Sequence, residues 1–392
     1  MFPRGSVPCR PRSRRCLASD DTAQIAGKRP RPAAGYNRAM EIRRRRMGFM
    51  IAALATGLVS WWGLAPAAQE AAGPADAPSR EAIWRSIFAR PAGLPEPVDP
   101  AKAALGRDLF HDTRLSGSAT ASCASCHDAG RAFTDGRATA VGPGGATLSR
   151  NAPTLYNLAW ATSFFWDGRA QSLAEQARFP ILEPDELAGD FPTIIRRLSA
   201  DAALPARFKA AFPGSDAITE EAVLEALAAY ERTLVSPPTR FDRWVEGDDT
   251  ALSDEEKRGF DIFVGKGGCV SCHGGWRFTD DAFHDVGLPG KDIGRGALTA
   301  DGKGLPEFRT PSLREVARTA PYMHDGSLAT LKDVVDHYAG GLVVRPSLAP
   351  TLVRDLSLSE AEKAALIGFL KTISSEQKSN TAHGTTRPMI EK

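Results

Sequence analysis

Two short stretches, Cys123-Ala-Ser-Cys126-His127 and Cys269-Val-Ser-Cys272-His273, decide how this chain of 392 residues is read. Two cysteines separated by two residues and followed at once by histidine form the attachment pattern of a c-type haem. The spacing has a chemical reason: two thioethers fix the porphyrin vinyl carbons, and the adjacent imidazole meets the iron from the same side. A four-cysteine zinc site brings its two pairs far closer together than these. A thioredoxin-type redox motif needs no histidine, and any Cys-x-x-Cys can close a disulfide. With 6 cysteines and 7 histidines in the chain, chance supplies one such pentapeptide in about one of a thousand chains. Two in one chain read as two covalent haems.

Outward from the motifs, composition divides the chain. Overall, 42% hydrophobic and 24% charged residues exclude collagen, wholesale disorder and a polytopic membrane protein. The formal charge of +2 is an average of unlike parts. Residues 1–67 carry 13 Lys and Arg against 3 Asp and Glu, leaving 36 against 44 in the remainder. Arg43-Arg44-Arg45-Arg46 precedes an uncharged run from Met47 to Ala68 that ends Ala65-Pro66-Ala67-Ala68. That is the layout of a secretory signal cleaved after Ala67 or nearby. An uncleaved membrane anchor is the alternative, since the run approaches spanning length. Residues 1–39 read as a disordered extension or as sequence upstream of the true start at Met40 or Met47. Cys9 and Cys16 fall there, so the exported body keeps four cysteines and is acidic. It is expected in the periplasm, with no nucleic-acid partner, and at the membrane only if the signal is retained.

Helical spacing and capping residues predict a mainly α protein of short helices and long loops. Residues 69–99 read as a linker and N-terminal arm. Helices are expected over Pro100–Phe110, Ser172–Ala177, Pro192–Ala200 and Thr219–Val235. Capping boxes at Ser253, Thr330 and Ser359 open three more, the middle one closed by Gly340-Gly341. A helix leading into Cys-x-x-Cys-His occurs twice, so two cytochrome c-like haem domains are expected, 100–236 and 237–374, with a flexible tail over 375–392.

From about Ala103 to Phe369 the chain resembles the bacterial di-haem cytochrome c peroxidases, and within them the MauG-like branch. The segments that carry the resemblance are Leu105-Gly-Arg-Asp-Leu-Phe110, Arg114-Leu-Ser-Gly117, Asn151-Ala-Pro-Thr154, Phe165-Trp-Asp-Gly-Arg-Ala170, Pro311-Ser-Leu-Arg314 and Ala320-Pro-Tyr-Met-His-Asp-Gly326. By resemblance, Trp166 is the tryptophan that relays electrons between the haems; by its neighbours alone it is core packing. Gln176, Pro180 and Glu186 match residues lining the peroxide pocket of the first haem, with Glu186 the acid/base that moves a proton between peroxide oxygens. Taken alone, Glu186 is a surface carboxylate. Asn151, Thr319 and Pro321 match ligands of a calcium ion between the haems, and Asn151 is equally a turn residue.

Most peroxidases of the family have a distal histidine between the first motif and Asn-Ala-Pro-Thr. Residues 128–150 contain none, so the first haem is expected to be open to peroxide, with His111 a partly exposed or core residue. For the second haem the matching distal position is Tyr338, with Met323 and His337 as rivals and core packing as the plain alternative. A tyrosinate oxygen lowers the iron potential relative to Met.

The export signal and the family resemblance together imply a periplasmic enzyme that uses hydrogen peroxide and draws electrons from a partner protein. The partner is a small cytochrome c, a cupredoxin or a protein matured by oxidation. The alternative is a non-catalytic di-haem electron carrier. MauG itself has a tryptophan two residues before the second motif; here that position is Gly267, with Trp276 and Trp244 as substitutes.

Overall fold

In the computed structural model, residues 78–299, 304–354 and 356–376 are described. The signal segment, Cys9, Cys16, the start of the linker and the tail from 377 lie outside them. Among the described residues, ten α-helices run in order: α1 Arg80–Phe88, α2 Pro100–Phe110, α3 Leu173–Leu182, α4 Phe191–Ser199, α5 Leu204–Ala211, α6 Glu220–Arg232, α7 Arg240–Val245, α8 Asp254–Val264, α9 Leu331–Asp336 and α10 Glu360–Thr372. One two-residue antiparallel ribbon pairs β1 Phe283–His284 with β2 Phe308–Arg309. The mainly helical expectation is met. Ser253, Thr330 and Ser359 each close a reciprocal capping box on Glu256, Asp333 and Glu362.

Three helices went unforeseen. Within the expected linker and arm, Ser79 caps α1 by accepting from Ala82 N, and the helix buries Phe88 against Phe241, Phe260 and Phe278. α5 lacks a side-chain cap, and α7, although opened by a capping box between Thr239 and Asp242, is only six residues long and too short to show a period. α3 also outruns its expected end at Ala177, because Pro180 is accommodated inside it.

The buried apolar side chains gather in two main clusters. One is built on α2, α3 and α6 and includes Leu105, Phe110, Ile181 and Leu227. The other is built on α1, α7, α8 and α10 and includes Phe88, Phe241, Phe263 and Phe369.

The two clusters share a plan. In each, the helix before the haem motif packs on a later helix through a glycine. A Cβ at Gly106 would lie 1.8 Å from Ala226 O, and one at Gly259 would lie 2.0 Å from Ala365 O. Backbone on both sides leaves nothing to yield. Gly106→Ala and Gly259→Ala are each expected to cost at least about 1–3 kcal/mol, read as a drop in denaturation midpoint; an unchanged midpoint would mean the helices separate freely.

The duplication extends to the runs 153–180 and 311–338, which align without a gap. Pro153, Leu155, Asp167, Gly168 and Leu173 fall on Pro311, Leu313, Asp325, Gly326 and Leu331. Positive φ recurs at Asn157 and Glu315, Phe165 and Met323, Gly168 and Gly326. A bridge between Phe164 and Ala170 is matched by one between Tyr322 and Leu328. Ser172 caps α3 as Thr330 caps α9.

Candidate haem sites

At each motif the histidine commits Nδ1 to a backbone carbonyl: His127 to Phe133 O and His273 to Phe278 O, both at 2.9 Å. Both phenylalanines sit at positive φ, 59° and 58°, which turns the chain back toward the ring. With Nδ1–H donating, Nε2 keeps its lone pair, the tautomer that an iron requires. Burial holds both imidazoles below the ordinary histidine value, and hence neutral. The four cysteines are free thiols rather than disulfides. Burial pushes Cys123 up to about 12 and Cys269 to about 11, which keeps both thiols protonated. Two neutral thiols beside one neutral imidazole fit covalent haem.

Around the second motif a large cavity is lined by Cys269, Cys272, His273, Tyr338, Leu366 and Leu370. Tyr338 stands at the end of α9, where the helix gives way to a wider turn over His337–Gly341. Burial raises its hydroxyl above the ordinary tyrosine value, with Cys269 and Cys272 adding to the effect. The rivals differ. His337 sits 2.9 Å from Val286 O through Nε2, which occupies its ligating atom. Met323 reaches the cavity wall from a loop at positive φ. Cys272, Asp280 and His284 also cluster closely enough for a metal ion, but haem attachment consumes that sulfur.

Near the first motif, Gln176 and Pro180 lie one turn apart on α3. The chain then folds back along that helix: Leu187 N donates to Pro180 O at 3.0 Å and Gly189 N to Ile181 O at 2.7 Å. Glu186 sits in this return and is felt by the thiols of Cys123 and Cys126. Burial, then Glu183, raises its carboxyl above the usual range, while Arg169 opposes them. It is therefore a partly buried acid, not the surface carboxylate of the plain reading. His111 ends α2 exposed, its Nδ1 2.9 Å from Arg107 O.

Trp166 joins the halves. Its Nε1 donates to Asn151 O at 3.0 Å, Asn151 N donates to His324 O at 2.7 Å, and Arg309 N donates to Trp166 O at 2.8 Å. Asn151, Thr319 and Pro321 line the same cavity as Trp166. The Asn151 amide nitrogen is spent on Arg137 O and Ala138 O, which leaves Oδ1 as its free ligating atom.

Sequence reasoning passed over Arg309 and His324. Arg309 is half-buried, its N donating to Trp166 O, and pairs with Asp281 at 3.1 Å; His324 stacks on Phe308 at 3.6 Å. The aligned runs point to His324, since it occupies the place of Trp166. Of the tryptophan substitutes, Trp244 is core, 3% exposed. Trp276 meets Trp160 edge-on at 4.7 Å, with Arg90 and Arg314 over its ring. Two guanidiniums disfavour positive charge on that indole.

Comparison with known proteins agrees with this geometry. The family model described as di-haem cytochrome c peroxidase matches residues 100–250. The chain is 44% identical over 310 residues to a methylamine utilization protein MauG of Methylorubrum extorquens, covering 77% of this chain and 88% of that one. It is 35% identical to a cytochrome c551 peroxidase of Nitrosomonas europaea, covering 72% and 85%. Among solved structures, a MauG-like protein associated with microbial copper homeostasis superposes with a TM-score of 0.65 at 35% identity, covering 74% and 94%. The chain belongs to the di-haem cytochrome c peroxidase family. It is accordingly a peroxide-dependent oxidoreductase of a family that carries two haems and takes electrons from a redox partner.

Proposed function

We propose that this chain is a periplasmic enzyme in which peroxide reacts at the Cys123–His127 site and electrons arrive through the Cys269–His273 site. The observation that carries the reading is the gapless alignment of the two runs. It sets Pro180 on the position of Tyr338. One half offers an oxygen ligand; the other has a side chain with no donor atom. With haem bound, the first site would keep a position free for peroxide, in keeping with the lack of histidine between 128 and 150, and Tyr338 would be the residue that closes the second.

When bound, the first haem supplies the iron at which peroxide is cleaved. Glu186 takes a proton from the near peroxide oxygen and returns it to the far one, which departs as water. Its burial supports this, because a carboxyl with a raised pKa exchanges protons nearer neutrality. Gln176 orients the bound peroxide, and Pro180 keeps the pocket free of a competing ligand. Trp166 passes electrons between the sites, and Asn151, Thr319 and Pro321 hold calcium with oxygen donors alone. The chain forms two haem domains, 100–236 and 237–374.

The partner is a small cytochrome c, a cupredoxin or a protein matured by oxidation; Tyr338 favours the last. An acidic body suits a basic docking patch. Among the described residues no helix is long and apolar enough to cross a membrane.

The test is the electron paramagnetic resonance spectrum of the ferric holoenzyme. One high-spin and one low-spin haem, with the high-spin signal lost on adding peroxide, is expected. Two low-spin haems inert to peroxide would mean an electron carrier instead.

A further inference from the structure

α6 and α10 align as closely as the loops do: Ala226-Leu-Ala-Ala-Tyr-Glu-Arg-Thr-Leu234 falls on Ala365-Leu-Ile-Gly-Phe-Leu-Lys-Thr-Ile373. The register is fixed in space by Gly106 on Ala226 and Gly259 on Ala365. Glu231 therefore occupies the position of Leu370, and Leu370 lines the second haem cavity. A carboxyl stands where the other half keeps an apolar wall.

Glu231 is 5% exposed, and its Oε2 is buried without a hydrogen-bond partner. Its charge is felt by Cys123, the first attachment cysteine, more strongly than that of Cys126 or Glu186. A buried, unpartnered carboxyl is costly, and no packing need explains it, since leucine serves in the equivalent place.

We propose that Glu231 is the proton-binding residue coupled to the redox state of the first haem. As one electron enters that site, Glu231 takes one proton from solvent and forms its O–H bond. As the electron leaves, the O–H bond breaks and the proton returns to solvent. The buried site thus gains no net charge in either direction.

Its surroundings permit the role. Burial raises the Glu231 carboxyl to about 8, opposed by Arg232 on the same helix. α6 packs on α2, on α3 and on the turn Leu158–Trp160. α2 carries Lys102, Arg107 and Asp108, and α3 carries Glu175 and Arg178; Arg107, Asp108, Glu175 and Arg178 are exposed and Lys102 half-buried. Arg178 is taken up by Glu220 at 2.6 Å, and Arg107 acts on Tyr230 rather than on Glu231. The turn has no ionisable side chain.

The inference rests on haem attachment at Cys123, not on the reaction with peroxide. The experiment is a spectroelectrochemical titration of the holoenzyme at several pH values, with Glu231→Gln and Glu231→Leu beside wild type. The wild-type first-haem potential is expected to fall with rising pH, approaching a tenfold change in reduction equilibrium per unit. The second-haem potential should not follow it. Both variants are expected to flatten the first slope, with two haems per chain by pyridine haemochrome assay. A redox difference infrared spectrum adds a second readout: a carboxyl C=O band present in wild type and absent from both variants. Equal slopes in wild type and variants would overturn the proposal. Loss of haem from the wild-type first motif would instead overturn the reading beneath it.

Discussion

Replacing Tyr338 by Phe is expected to turn the second haem from six-coordinate and low-spin to high-spin, and to shorten the lifetime of the peroxide-oxidised enzyme at least tenfold. Phenylalanine keeps the ring that packs at the end of α9 and deletes only the oxygen. Burial raises the Tyr338 hydroxyl, so a tyrosine that merely packs stays neutral at every physiological pH. Only iron within bonding distance would ionise it, and the anionic oxygen would then stabilise the oxidised metal. Stopped-flow absorbance with resonance Raman detection reads both effects. If the tyrosinate signature is absent from wild type and the variant decays at the same rate, Tyr338 is a packing residue and the second iron is closed by another group, with Met323 the first to examine.

Replacing Glu186 by Gln should slow the reaction with peroxide by about 10²–10⁴-fold while leaving the ferric spectrum of both haems unchanged. The amide preserves shape and hydrogen bonding but cannot accept and return a proton. The pH dependence has a definite sign. Burial and Glu183 raise this carboxyl, and the ionised form is the one that accepts the peroxide proton. The wild-type rate should therefore fall as pH drops through a value above the ordinary 4.5, whereas the variant rate stays flat. A variant as fast as wild type, or one with the same acid limb, would remove Glu186 from proton transfer.

The parts of this molecule legible in its sequence are those that local chemistry dictates. Cys-x-x-Cys-His declares itself by spacing, and Ser253, Thr330 and Ser359 announce helix starts because a side chain must satisfy the free N–H groups there. The correspondence of Pro180 with Tyr338, or of Glu231 with Leu370, could not be read that way. The two halves agree in backbone, and unlike letters serve the same conformation: Asn157 and Glu315 both take positive φ, as do Phe165 and Met323. Arg309 was missed for a related reason. A guanidinium on a two-residue strand too short to show a pattern reads as solvated until Asp281 and the carbonyl of Phe165 are found beside it.

The duplicated plan has a consequence for the direction of electron flow. Two identical halves would form a wire with no preferred end. Here the common framework holds His127 and His273 by the same Nδ1 contact to a backbone carbonyl, so any bias between the two sites would be written in the few positions where the copies diverge. On the proposed reading, Tyr338 against Pro180 would set which terminus can bind an outside molecule, and Glu231 against Leu370 would set which one can neutralise an incoming electron. The chain would in this sense be a molecular rectifier whose polarity rests on individual side chains laid over a symmetric circuit.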